Sequence, residues 1–172
     1  MWVRFFIFVF LLCGLCHPAN ALDYTGTIIG VHDGDTVTLL TPHHKQIKIR
    51  LANIDAPELK QPYGMTAKQT LSNFIFQKHV IVTAKNKDRY GRTIGTITRS
   101  DDHLNINTAL ISVGAVWVYR TYAKDPTLIQ IENTARNAGK GLWSLNDQPP
   151  VPPWDWRKSK TRRIAFNAGH AY

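Results

Sequence analysis

The sequence predicts an α+β, mainly β fold: a small five-stranded barrel with three helices, a leader before it and a tail after it. Three observations lead there. Short runs rich in Val and Ile recur with turn residues between them. Ile47, Ile49 and Leu51 alternate with Gln46, Lys48 and Arg50, the period of a half-buried strand. A segment of helical spacing follows the third strand, and two more follow the fifth.

The chain begins with a targeting pattern over residues 1–21. Arg4 supplies a positive start, Phe5 to Leu15 is apolar apart from Gly14, and Ala19-Asn20-Ala21 fits a small-x-small cleavage site. The apolar run is short for a bilayer span. A cleaved signal peptide is expected, giving a secreted or periplasmic protein with no membrane span. Cys13 and Cys16 would leave with it, so neither a disulfide nor a thiolate metal site is expected in the mature chain.

The elements of the domain, residues 22–146, follow in order. Tyr24 to Val31 reads as a strand with Gly26 and Gly30 as bend points. His32-Asp33-Gly34-Asp35 is a tight turn, and Thr36 to Leu40 the returning strand. Thr41 to His44 turns into the third strand, Lys45 to Leu51. Pro57 cannot donate to a ladder, so strand structure is expected to end near Asp55. Ala67, Leu71, Phe74 and Ile75 give a helix over about 64–77. His79 to Ala84 and Thr93 to Thr98 are the fourth and fifth strands, with a charged turn from Lys85 to Arg92 between them. Ile106, Ala109, Leu110 and Val113 mark a short second helix, and Ala115 to Tyr119 an apolar, aromatic stretch. Asp125 is a good N-cap with Pro126 at the first helical position of the third helix, whose buried face is Leu128, Ile131 and Ala135. Gly139 and Gly141 would end it. Strands interrupted by a helix after the third match the oligonucleotide-binding (OB) type of barrel.

The tail, residues 147–172, differs in kind. Gln148 to Pro153 is proline-rich and reads as extended. Trp154 and Trp156 are expected to pack back on the domain. After Asp155 come five basic residues and no acid, which read as a frayed terminus from Ser159 onward or as a nucleic-acid arm.

The 172 residues carry 21 Lys+Arg against 12 Asp+Glu, a formal net charge of +9. That balance favours a polyanionic partner, nucleic acid before an anionic membrane. No long amphipathic basic helix supports the membrane reading.

Asp33, Asp35, Asp55 and Glu58 lie at the ends of the first three strands, with Arg50 close to Asp55 and Glu58. Oxygen-only ligands favour a hard cation such as calcium or magnesium. The neighbouring His43 and His44 read as solvated, so zinc is not expected. A second cluster, Asp88-Arg89-Tyr90-Gly91-Arg92, is a charged turn that offers another guanidinium. Two guanidinium groups and a cation suit a phosphodiester whose charge grows in the transition state.

Asp33-Gly34-Asp35-Thr36, Ile49-Arg50-Leu51, Asp55-Ala56-Pro57-Glu58, Asp88 to Arg92 and Gly141-Leu142-Trp143, in this order, resemble the signature of the staphylococcal nuclease (thermonuclease) family. The resemblance covers about Tyr24 to Ser144. It implies an SNase-like OB-fold barrel with three helices and a calcium-dependent phosphodiesterase that leaves 3′-phosphate ends on DNA or RNA. It implies that Asp35 and Asp55 hold one Ca2+ through side chains and Ala56 through its carbonyl, where the best-known member has threonine. Glu58 would be the general base, and Arg50 and Arg92 would bind the phosphate. Arg89, Tyr90, Trp117 and Tyr119 would contact the substrate. A monomer is expected, with nucleic acid rather than another protein as its partner. A second class remains, a catalytically silent barrel that binds nucleic acid. Silent copies lose the acids and arginines that this chain keeps.

Overall fold

The computed structural model describes residues 22–146 and 149–159. The leader and residues 160–172 lie outside the described residues, and the expectations about them with them. Among the residues up to 146 that the structure describes, seven strands and three α-helices run in the order β1 (Leu22–Val31), β2 (Thr36–Leu40), β3 (Gln46–Leu51), β4 (Ile54–Asp55), α1 (Gly64–Ile75), β5 (His79–Lys87), β6 (Thr93–Arg99), α2 (Ile106–Ser112), β7 (Trp117–Val118) and α3 (Pro126–Asn137). A 3-10 turn, Gly141–Ser144, and a last helical segment over 153–159, called α4, follow.

The barrel is the OB type expected from the sequence. Strands β1, β2, β3, β6 and β5 close on one another, with β3 and β6 parallel and the other pairs antiparallel. Closure leaves the barrel itself without a free sheet edge. The alternation in β3 works as read: Ile47, Ile49 and Leu51 are buried among Ile28, Val37, Leu39 and Val82. Helix α1 lays Ala67, Leu71 and Ile75, spaced at one face, on the barrel. Asn105 caps α2 by accepting from the Thr108 N–H, and Asp125 caps α3 by accepting from the Thr127 N–H.

Three expectations need correction, and one gains a detail. The third strand ends at Leu51 and strand structure ends at Asp55, as read, but the two are not one continuous strand. Asn53 turns the chain at φ 64°, and β4 pairs away from the barrel with β7. The buried Asn107 holds that turn: its amide donates to the Ala52 carbonyl at 2.9 Å and its Oδ1 accepts from the Ile97 N–H at 3.0 Å. The expected turn from Lys85 is strand to Lys87, so the turn proper is Asp88 to Arg92. The buried face of α3 includes Glu132, fully buried, which accepts from the Val118 N–H at 2.8 Å and from Arg120 at 2.6 Å, while Leu128 and Ile131 are only half-buried. Helix α4 was not expected in a proline-rich tail. It starts where the Pro152 carbonyl accepts from the Asp155 and Trp156 N–H groups.

Two glycines let the loops come together. A Cβ on Gly34 would stand 2.7 Å from the Ala56 Cβ and 2.9 Å from the Ala67 Cβ. A Cβ on Gly64 would stand 1.9 Å from the Glu58 carbonyl oxygen. The β1–β2 turn, the 55–58 loop and the start of α1 therefore pack through backbone. Gly34→Ala should cost about 1–3 kcal/mol by overpacking, read as a lower urea midpoint. An unchanged midpoint would contradict the close approach.

Candidate active site

The site grows from the β1–β2 turn. Asp33 Oδ1 accepts from the Asp35 N–H at 2.9 Å, a turn that aims the second acid inward. Asp35 is 6% exposed. Its Oδ2 accepts from the Ala56 N–H at 2.7 Å and its Oδ1 from the Thr36 hydroxyl at 3.0 Å. Burial pushes its carboxyl up to about 7; Arg50 and the Ala56 N–H pull the other way, and Asp33 and Asp55 push with the burial.

Arg50 is opposite Thr36 in the β2–β3 register. Its Nη1 donates to the carbonyls of Leu51 at 2.7 Å and Ile54 at 2.9 Å, so the turn after β3 wraps the guanidinium. Its Nε stands 3.1 Å from Asp35 Oδ1 and its Nη2 donates to Asp55 Oδ1 at 2.8 Å. One anchored cation thus joins acids 20 residues apart. Sequence proximity suggested that Arg50 also lies against Glu58. Instead Glu58 is met by Arg157, whose Nη1 donates to Glu58 Oε1 at 2.8 Å and whose Nη2 donates to Asp55 Oδ2 at 2.8 Å.

Arg92 is fixed from its own turn. Its Nε donates to Asp88 Oδ2 at 2.7 Å and its backbone N–H to Asp88 Oδ1 at 3.0 Å. Burial would raise the Asp88 carboxyl, but these bonds outweigh it and hold it below the usual carboxylate range. Arg92 Nη1 reaches the Thr36 hydroxyl at 3.4 Å, which places it beside Asp35.

These groups line one open cleft of about 830 Å³, in the ~300–1,000 Å³ range of ligand sites. Asp35, Arg50, Asp55, Ala56, Glu58, Arg89, Tyr90, Arg92 and Tyr119 all face it. Tyr90 is exposed, with Arg89 over its ring at 4.9 Å and Arg92 at 5.6 Å. Trp117 is not among the lining residues. It is buried under Trp143 and Trp154, at ring distances of 4.4 and 5.9 Å. Sequence reasoning missed Arg157, which does line the cleft. The available signal was the Trp-Asp-Trp-Arg run, since an arginine three residues after a packed tryptophan shares its helix face.

The acids fit a hard cation. Two carboxylates from different strand ends share one guanidinium, and a buried acid next to two others calls for positive charge. Among the described residues no three His, Cys, Asp or Glu side chains form a cage. A cation on Asp35 and Asp55 would therefore draw its remaining ligands from backbone oxygen, such as the Ala56 carbonyl, and water.

Comparison with known proteins bears on the family. Residues 48–145 match the family model described as "Staphylococcal nuclease homologue". The chain is 40% identical over 143 residues to an "Uncharacterized endonuclease" of Haemophilus influenzae, covering 83% of this chain and 78% of that protein. It is 42% identical over 143 residues to a protein of the same description from Escherichia coli, with 83% and 91% covered. It is 38% identical over 151 residues to a "Micrococcal nuclease" of Shigella flexneri, with 83% and 84% covered.

The Asp35 carboxyl predicts a pH effect on stability in chelator. Unfolded, it titrates near 3.8; folded and cation-free, it holds its proton up to about 7. Its contribution is whole below the unfolded value and is lost as pH rises through the folded one. The Tm of the native chain should therefore fall relative to Asp35→Asn between about pH 4 and about pH 8. Parallel Tm curves for the two proteins would contradict this.

Proposed function

The chain belongs to the staphylococcal nuclease family, and from that premise we propose that it is an exported, calcium-dependent nuclease that cuts DNA or RNA to 3′-phosphate ends. The observation that carries the reading is the meeting of Asp35 and Asp55 on the anchored Arg50, with Arg92 tied through Thr36 to the same spot. A calcium ion held by Asp35, Asp55 and the Ala56 carbonyl would supply Lewis-acid stabilisation of the phosphate's growing charge.

The chain's own residues do the rest. Glu58, which lines the cleft with its side chain 44% exposed, takes the proton of the attacking water. The water oxygen bonds to phosphorus, the P–O5′ bond breaks, and the departing 5′ oxygen takes up a proton from solvent water in the open cleft. Arg92 meets the phosphate oxygens with its Nη groups, because its Nε is committed to Asp88. Arg50 has three of its five N–H donors in hydrogen bonds and a fourth, Nε, in an ion pair with Asp35, and so acts chiefly as a fixed charge beside the phosphate. The exposed Tyr90 ring offers a face to the bases, while Tyr119 lines the cleft with its ring already stacked on Trp154.

Export rests on the leader pattern of residues 1–21. No helix among the described residues is long and apolar enough to cross a membrane. The chain acts as a monomer in this reading.

The test is direct. The purified chain from Leu22 onward is incubated with plasmid and single-stranded nucleic acid in calcium, magnesium or chelator, and the product ends are identified. Cutting in calcium, none in chelator and 3′-phosphate ends are expected. Binding without cutting in calcium would point to the silent barrel; cutting in chelator would overturn the metal. Glu58→Gln should lower turnover by about 10²–10⁴-fold. Arg92→Lys should lower it by about 10²–10³-fold with less effect on binding, since the fork on the phosphate is lost. Normal turnover in either variant would remove that residue's role.

A further inference from the structure

The segment 149–159 is anchored beside the cleft and sends Arg157 into it. Three contacts hold it. The Trp154 ring stacks on Tyr119 at 5.4 Å with 6° between planes, and meets the edge of Trp117 at 5.9 Å. Pro153 is buried. The side chain of Gln61, 6% exposed, donates to the Val151 carbonyl at 2.6 Å. That same side chain accepts from the Glu58 N–H at 3.1 Å. One amide therefore joins the loop of the proposed base to the tail.

Arg157 follows Trp154 by three residues on α4, so both project from one face. Trp154 settles on the aromatic pair, and Arg157 reaches the acids. Its planar fork spans them: Nη1 donates to Glu58 Oε1 at 2.8 Å and Nη2 to Asp55 Oδ2 at 2.8 Å. Among the described residues the Glu58 carboxylate takes its hydrogen bond from Arg157 alone. Asp55 is already fixed by Arg50, whereas Glu58 is 44% exposed at its side chain and has no such anchor. The bond to Glu58 is not on a carboxylate that would hold the metal, whereas the bond to Asp55 Oδ2 is on one, so a loaded site keeps the first and competes for the second.

We propose that the tail completes the active site, with Arg157 as a positioning residue that holds the Glu58 carboxylate in register with Asp55. This rests on the reading of Glu58 as the base. A rigid, bidentate cation suits the task, because a flexible carboxylate displaced by about 1 Å can cost 10²-fold in rate. Trp154 and Gln61 act one step further out, by fixing where Arg157 starts.

The test compares the native chain, Arg157→Ala, Arg157→Lys, Glu58→Gln and the Glu58→Gln/Arg157→Ala double variant. Turnover and KM are measured with calcium on a labelled single-stranded DNA oligonucleotide, and binding of the same oligonucleotide is measured in chelator. Arg157→Ala is expected to lower kcat by about 10–100-fold, with KM and chelator binding changed by less than about threefold. Arg157→Lys should recover part of the loss, because charge returns without the fork. In the Glu58→Gln background, Arg157→Ala should cost nothing more, as expected when one residue acts through the other. Equal or higher kcat in Arg157→Ala would overturn the proposal and make the tail a plug over the acids. An undiminished loss in the Glu58→Gln background would overturn it too, by showing that Arg157 acts elsewhere. Tm is followed in each variant; a drop in Arg157→Ala that Trp154→Ala reproduces without loss of kcat would assign the tail to stability and reject the proposal. Failure of the nuclease reading looks different: the native chain would not cut in calcium.

Discussion

The site depends on one guanidinium being held still. Arg50 is fixed by two backbone carbonyls of the turn that follows its own strand, and so presents its remaining faces to Asp35 and Asp55. Each acid comes from a different strand end, and each would repel the other in a nearly dry setting. With Arg50 anchored, their charges can be kept close without collapse of either carboxylate toward solvent. The cost survives as the raised Asp35 carboxyl. A buried pair that is not fully compensated is an unfavourable element in the empty protein and a favourable one for a cation.

The rest of the architecture serves that meeting. The parallel β3–β6 contact closes the barrel beside Arg50 and brings the Arg92 turn over the same opening. Gly34 and Gly64 remove the side chains that would hold the loops apart. Asn107, far from the cleft in sequence, ties down the turn that wraps Arg50. The tail adds a second guanidinium on the far side of Asp55, so that this carboxylate stands between two cations while Glu58 is held by one. Rigidity of this kind is what a reaction run by positioning and electrostatics requires.

Much of this was legible in the sequence because it is local. Alternation in Gln46–Leu51, the Asp125-Pro126 cap and the Asp-Gly-Asp turn each follow from neighbours along the chain, and the ordered motifs placed the acids and arginines in one cleft. What was not legible depends on partners distant in sequence. The break at Asn53 is forced by β4 pairing with β7, which no window of residues around it reveals. Glu132 is absent from the expected buried face of α3, because what buries it, the Val118 N–H and Arg120, lies outside the helix. Trp117 reads as a stacking face, and tertiary packing under Trp143 and Trp154 takes it out of the cleft. Arg157 is 99 residues from Glu58, so a basic tail looked like a loose end.

The claim that matters most is that acids from two strand ends form one site for one ion. Calorimetric titration of calcium into the purified chain measures it directly. The account predicts a single ion per native chain and no binding isotherm in either Asp35→Ala or Asp55→Ala, both folded by circular dichroism. An unchanged stoichiometry and affinity in either variant would place the ion elsewhere and contradict the account.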